Sequence, residues 1–460
     1  MGGRVLSGDQ NAVWSGAALD SRRVVGGELF FALRGEKTDG HRYVAAALAR
    51  DAAAVVTEHA VEVDEEATVI QVRSAYEALH ALTRHVRLRT PQNLVGVTGS
   101  SGKTTTKELL AAMLSRRFRV ARSPGNLNNL YGFPIALLGI ADDAEWMVAE
   151  MGMSTPGELA GVSRLGRPGV AIFTNVKPAH LESFKSVSAI ADAKAELFRG
   201  LDPGGLVIAN AADEEVVRIV SRDARGRDVV WFSVAEVSAG AAGQSSGPVA
   251  SHTAERVEAT EEGGARFDWL QGDQRHPVVL RLFGRHNVEN FLAAAACADA
   301  LGVAAKDIIA AAETVEPEAM RGVVHRLEGG STIVDDCYNS NPEALATILE
   351  SARELPARRR WAVLGEMLEL GSQGPGFHRS SGELAARLGF SPVLGVGAGA
   401  RALIDGVEAA GGEGVWFETA AAAAASAAAR FEGGDLVLVK GSRGVGLEVV
   451  VEELLAKELV

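Results

Sequence analysis

The chain has 460 residues, with 46 Lys and Arg against 59 Asp and Glu and a formal net charge of −13. That length leaves room for about three domains at roughly 150 residues each, and the acidic balance excludes a broad nucleic-acid-binding face, which needs a basic excess to displace counterions. Hydrophobic residues at 47% and charged residues at 23% are ordinary globular proportions and exclude global disorder.

In chain order, residues 1–91 alternate short apolar strands at 29–33, 53–57 and 68–72 with helical stretches. The polar segment 87–93, which contains Pro91, reads as a linker. LVGVTGSSGKTTTKELLAAMLSRRF then reads as a strand, a glycine turn and an amphipathic helix. Further strands at 146–149, 170–174 and 206–210 alternate with helical patterns, which predicts a mostly parallel sheet covered by helices. Residues 238–265, rich in Gly, Ser and Glu, read as an exposed loop or hairpin inserted before 267–282. Helices follow at 288–301 and 304–315, then a second α/β series with strands at 332–335, 361–364, 392–396 and 436–439. The alanine run 420–429, broken only by Ser426, reads as one helix packed closely on a sheet.

The strongest local signal is Gly99-Ser100-Ser101-Gly102-Lys103-Thr104-Thr105. A strict Walker A pattern asks for glycine where Val97 stands, so this is an abbreviated P-loop. Its mechanics survive: glycines let backbone N–H groups face phosphates, and the following helix points its positive end at them. Lys103 brings a point charge to the β/γ-phosphates, and the Thr104 hydroxyl is a ligand for Mg²⁺. The loop implies ATP or GTP without naming the reaction. Glu150 closes a strand, His180 follows another in TNVKPAHLESF, and Lys194 lies in the helical stretch AIADAKAELF. Each is unremarkable alone; their order behind a P-loop gives them weight.

That order resembles the Mur ligase family, ATP-dependent enzymes that build the peptide stem of the bacterial cell wall. DSRRVVGGELFFALRGEKTDGH (20–41), TGSSGKTTTK, SPGNLNNLYGFP (123–134), GRHNVEN (284–290), DDCYNSNP (335–342), VLGEMLELG (363–371) and KGSR (440–443) carry the resemblance, most closely to the branch that adds D-alanyl-D-alanine. The implied fold is α/β in three domains. These are a small N-terminal UDP-substrate domain (1–91), a central P-loop ATPase domain with a mostly parallel sheet (92–318), and a C-terminal Rossmann-like domain (319–460) that closes on ATP and binds the incoming amine.

The resemblance implies ligation of D-alanyl-D-alanine to the C-terminal carboxylate of UDP-N-acetylmuramoyl-tripeptide through an acyl phosphate. It implies ATP and two Mg²⁺ ions as well. Thr104 and Glu150 would hold one ion; His180 and a carbamylated Lys194 would hold the other. Since free lysine titrates near ~10.4, the site must depress the Lys194 pKa for its amine to take up CO₂. Asn287 and Asn290 resemble the pair that reads adenine, Arg326 an arginine that reaches ATP phosphate, and Asp336 a carboxylate bonded to ribose. Ser21, Arg22, Gly40 and His41 match positions of the uridine-diphosphate site. Asn126, Asn128, Asn129, Asn339 and Asn341 are expected at the peptide substrates.

Leu130, Lys177, Pro178, Cys337 and Glu366 depart from the family pattern, and none of them removes a phosphate or metal group. Two rivals stay open at this point: another ligase of the family that adds a single amino acid (diaminopimelate or lysine), and a P-loop NTPase switch. The two cysteines, Cys297 and Cys337, neither staple a chain of this size nor make a four-ligand zinc site, which fits a reducing cytoplasm. No run of about 18 apolar residues predicts a membrane span. The expected protein is a cytoplasmic monomer with no nucleic-acid partner.

Overall fold

The computed structural model describes residues 2–35, 38–90, 93–141, 143–179, 181–234 and 248–458. Its strands fall into three sheets that follow one another along the chain. The first runs in the order Arg4–Ser7, Val69–Gln71, Ala54–Thr57, Glu28–Phe31, Gly16–Ala18. It is parallel except at Arg4–Ser7. The helix Ala75–Arg87 starts where the Ser74 hydroxyl accepts from the Glu77 N–H. It packs Ala75, Ala78 and Leu79 with Leu29, Phe31 and Val56.

The central sheet has nine strands, in the order Gln274–Leu280, Ala265–Gln271, His252–Ala259, Val229–Val234, Leu206–Asn210, Val170–Phe173, Asn93–Thr98, Trp146–Glu150, Val120–Arg122. From His252–Ala259 to Val120–Arg122 all neighbours are parallel; the last two strands at the other edge turn antiparallel. This corrects the reading of 238–265 as a loop or hairpin: within it, His252–Ala259 is a full strand of the sheet, while 235–247 lie outside the described residues. Composition hid that strand because its outer positions carry Glu255 and Glu258, while His252 and Ala254 are buried. Trp269, on the next strand, meets Phe291 of the helix His286–Ala300 edge-on at 5.7 Å.

The third sheet runs Val323–Arg326, Thr332–Asp335, Asp435–Lys440, Arg359–Gly365, Val393–Val396, Gly414–Phe417, with only Val323–Arg326 antiparallel. The alanine run forms the helix Ala420–Arg430, which buries Ala423, Ala424 and Ala427 in a cluster with Val396 and Val439. Side chains one carbon long let that helix lie close to the strands. Among the described residues no helix is long and apolar enough to cross a membrane.

Candidate active site

The strand Asn93–Thr98 ends in the glycine loop, and the helix Lys103–Leu114 leaves it. Gly102 caps that helix with φ +78°, in the left-handed region, and a Cβ there would strike Asn290 Oδ1. The loop is fixed from the neighbouring strand end. Ser101 N and Oγ donate to Asn175 Oδ1 at 2.9 and 3.1 Å, Ser100 N donates to the Asn175 carbonyl, and Thr174 Oγ1 donates to the Ser101 carbonyl at 2.8 Å. Lys177 N donates to Ser100 Oγ at 2.9 Å. A Cβ on Gly99 would run into the Thr174 hydroxyl, so the second strand presses on the loop there. Lys103 Nζ donates to the Gly99 carbonyl at 2.8 Å. Burial pushes its ammonium below the usual lysine range, with Glu150 pulling the other way. Thr104 is buried and Thr105 follows it in the same first turn.

Glu150 ends the adjacent strand in register with Val97, which sets it one strand over from the start of the loop. Its side chain is 2% exposed. Oε2 accepts from Asn128 Nδ2 at 3.2 Å, and Oε1 is buried without a hydrogen-bond donor. An orphaned buried carboxylate oxygen fits a hard cation. Among the described residues no three or more His, Cys, Asp or Glu converge as a ready-made metal cage. His180 lies outside the described residues. Lys194, 3% exposed on the helix Val187–Ala195, has its pKa pushed well below the usual lysine value by burial and by Lys103, against Asp213.

Asn287 and Asn290 are buried beside the loop and occupied with the protein itself. Asn287 Nδ2 donates to the Phe283 carbonyl, Asn290 Nδ2 donates to Asn287 Oδ1 at 2.8 Å, and Asn290 Oδ1 accepts from Thr106 at 3.4 Å. A cleft opens next to them, lined by Thr105, Glu108, Asn287, Glu318 and Arg321 among others. Arg321 was not singled out from the sequence. It stacks on the Tyr338 ring at 3.9 Å, and its charge acts on Lys103.

Arg326, expected at ATP phosphate, stands elsewhere. It is exposed at the end of the edge strand Val323–Arg326, where Nη2 donates to the Glu261 carbonyl at 2.7 Å. Glu261 lies in the turn between the central-sheet strands His252–Ala259 and Ala265–Gln271. Asp336 is held by Lys440, whose Nζ lies 2.5 Å from Oδ2 and also donates to the Asn339 carbonyl at 2.8 Å.

The remaining polar positions divide into free and committed groups. Asn129 Oδ1 accepts from the Tyr131 and Gly132 N–H groups, and Asn341 Oδ1 accepts from Ala344 N, so both act as caps. Asn339 Oδ1 accepts from Ser340 N. Asn126 is exposed. In the first sheet's unit, Ser21 is buried and Arg22 grips Asp20 with two nitrogens. Gly40 leaves no room for a Cβ against the Leu33 backbone. His41 Nε2 accepts from Glu58 N at 2.9 Å, so Nδ1 carries the hydrogen given to Asp39 at 2.6 Å.

Three family models match the chain in succession: "Mur ligase family, catalytic domain" over 15–94, "Mur ligase middle domain" over 97–298, and "Mur ligase, glutamate ligase domain" over 320–443. The UDP-N-acetylmuramoyl-tripeptide–D-alanyl-D-alanine ligase of Escherichia coli K12 is 33% identical over 437 residues, 95% of this chain and 92% of that one. The chain belongs to the Mur ligase family. Two solved Mur ligases agree with it in fold. A MurF from Acinetobacter baumannii superposes with a TM-score of 0.82 at 28% identity, covering 96% of this chain and 93% of that one. The MurF ligase of Thermotoga maritima, solved in complex with ADP, gives 0.81 at 28% identity, covering 98% and 99%. The glycine loop and Glu150 lie at the ends of adjacent strands of the central sheet, and Thr105, in the first turn after the loop, lines the cleft beside Asn287.

Proposed function

We propose that this Mur ligase joins D-alanyl-D-alanine to the C-terminal carboxylate of UDP-N-acetylmuramoyl-tripeptide, using ATP, as a cytoplasmic step of peptidoglycan precursor synthesis. Its working units would be 1–91, 92–318 and 319–460. The observation that carries this reading is the direct bond between Glu150, one strand from the phosphate loop, and Asn128 of SPGNLNNLYGFP. It couples the place where phosphate is handled to a segment of the dipeptide-adding pattern.

A carboxylate does not react with an amine, because its leaving group would be oxide. Attack of the tripeptide carboxylate on the γ-phosphorus forms a P–O bond and breaks the bond to ADP. The amine of D-alanyl-D-alanine then attacks the acyl carbon, loses a proton, and phosphate leaves. The protein's work is positioning and charge neutralisation. Backbone N–H groups of 99–104 and Lys103 hold the phosphates; anionic phosphate restores the proton affinity that burial takes from Lys103. Thr104 and Glu150 would hold Mg²⁺, which spreads the charge of the phosphate oxygens. Arg321 rather than Arg326 would meet the nucleotide from the third unit, and Asn287 would face the base. A second ion would fall to His180 and Lys194, once the neutral Lys194 amine has added CO₂ and released a proton to become a carbamate. Ser21, Arg22 and Gly40 would serve the uridine diphosphate, Asn126 and Asn128 the muramoyl peptide.

The deciding experiment offers UDP-N-acetylmuramoyl-tripeptide, ATP and Mg²⁺ with D-alanyl-D-alanine, diaminopimelate or lysine, and follows ligated product. Product only with D-alanyl-D-alanine is expected; product only with a single amino acid would overturn the reading. Intact-protein mass carrying one added CO₂ at Lys194 checks the carbamate.

A further inference from the structure

Lys107 is the one charged residue among the largest fully buried side chains of the described residues. It lies one turn beyond Thr104 on the helix that leaves the phosphate loop. Its Nζ donates to the Ser123 carbonyl at 2.8 Å and to the Gly125 carbonyl at 3.5 Å, pairs with Glu108 Oε1 at 3.0 Å, and lies 3.9 Å from Glu150 Oε1. Methionine would fill the same volume without a charge to desolvate. A buried ammonium is tolerated only when its three hydrogens find acceptors. Two of these acceptors belong to the segment that follows the short strand Val120–Arg122.

Ser123 N, the first group of that segment, still donates to the Val148 carbonyl at 3.0 Å. Past Arg122 the segment leaves the sheet, so its carbonyls need partners outside a ladder. Lys107 takes the two at Ser123 and Gly125. On the opposite side Glu150 N donates to Ser123 Oγ at 3.2 Å, Asn128 Nδ2 donates to Glu150 Oε2, and Gly152 N donates to the Asn128 carbonyl at 2.8 Å. Glu108, the partner of Lys107, also binds Arg122 at the strand's end. The loop is thus gripped between the phosphate-loop helix and the Glu150 strand end, with Asn126 and Asn128 at its tip.

We propose that Lys107 is a positioning residue that fixes the 123–129 loop and thereby sets affinity for the peptide-bearing substrate, without touching nucleotide. The proposal rests on the reading of Asn126 and Asn128 as contacts of the muramoyl peptide. Its signature is selective. Removing the ammonium frees the loop, weakens UDP-N-acetylmuramoyl-tripeptide, and leaves UDP alone and ADP unaffected, since neither meets the loop.

The test is calorimetric binding of UDP-N-acetylmuramoyl-tripeptide, UDP and ADP, without Mg²⁺, to the full chain and to Lys107→Met, Asn126→Ala, Asn128→Ala and the Lys107→Met/Asn128→Ala double variant. Expected is a tenfold or greater loss for the tripeptide substrate in Lys107→Met, with UDP and ADP within twofold. The double variant should lose little more than the weaker single one, because both act through one loop. An unchanged tripeptide affinity in Lys107→Met, while Asn128→Ala is impaired, overturns the role of Lys107 and leaves the functional reading standing. Equal losses for ADP, or losses that multiply in the double variant, overturn it too. Full tripeptide affinity in both Asn128→Ala and Asn126→Ala instead removes the loop from the substrate site, and the proposal with it. If Lys107→Met does not fold, Lys107→Gln replaces it, since an amide still donates to one carbonyl but cannot bridge both.

Discussion

Burial depresses the proton affinity of Lys194, and that has a thermodynamic sign. In the unfolded chain the amine titrates near ~10.4; in the folded protein it does so well below. Between the two values the unfolded chain binds more protons, so stability rises with pH across that window, and the penalty is complete below the folded pKa. Lys194→Met, compared with CO₂-stripped parent protein, is therefore expected to abolish ligation. It should also raise the thermal midpoint at pH 7 by at least about 2 °C, a gain that shrinks by pH 9. A lower midpoint would mean the ammonium is stabilised where it lies. Such isolated chemistry was partly legible in the residues: the glycine loop and Lys194 declare themselves by local pattern. His41, Asn129 and Asn341 do not: His41 is held by the Asp39 carboxylate and Glu58 N, and an asparagine turned onto nearby backbone looks the same in sequence as one turned onto a ligand.

At the scale of elements, the connection between the helix Ala305–Ala312 and the strand Val323–Arg326 decides which arginine lines the cleft beside Asn287. Arg321 precedes the strand and leans on Tyr338, whose N–H donates to the Met320 carbonyl at 3.1 Å; Arg326 ends the strand and faces Glu261. Arg321→Ala is expected to cut kcat/KM for ATP by about 10- to 100-fold, a charge-assisted phosphate contact being worth about 1.5–3 kcal/mol. Arg326→Ala should stay within twofold. The reverse order in steady-state kinetics would restore Arg326 to the phosphate. Position in the sequence could not separate the two, since each lies near the start of the third sheet. The strand His252–Ala259 escaped for a related reason: its charged outer face and the Gly/Ser-rich stretch before it mask a period-two burial that only the partner strands reveal.

For the whole molecule, the division into three sheets was readable from the rhythm of strand and helix, whereas the contacts between units were not. The first unit meets the second where His80 Nε2 bonds the Leu130 carbonyl at 2.7 Å and Arg87 reaches the Gly166 carbonyl at 2.6 Å. The second meets the third through Lys177–Glu343 at 2.9 Å and Arg285–Glu354 at 3.2 Å. Lys177 is distinctive, because its backbone is tied to Ser100 of the phosphate loop while its side chain reaches the helix Pro342–Arg353. A half-exposed pair contributes about 0–1 kcal/mol, so Lys177→Ala should leave the thermal midpoint and ADP affinity nearly unchanged. It should nevertheless speed amide exchange at 343–346. Unaltered exchange there would show that the pair restrains nothing.

The antiparallel meander that closes the central sheet has a consequence for how these molecules coexist in a crowded solution. A long parallel sheet left open would offer its last strand to a neighbour's. Here that last strand, Gln274–Leu280, carries Pro277, which has no N–H to offer, and Arg275, which is folded back onto Asp268 and Glu255. At the opposite border Val120–Arg122 is only three residues long. Both margins of the largest sheet are thus poor templates for lateral growth, so its borders, like the net charge, oppose edge-to-edge association.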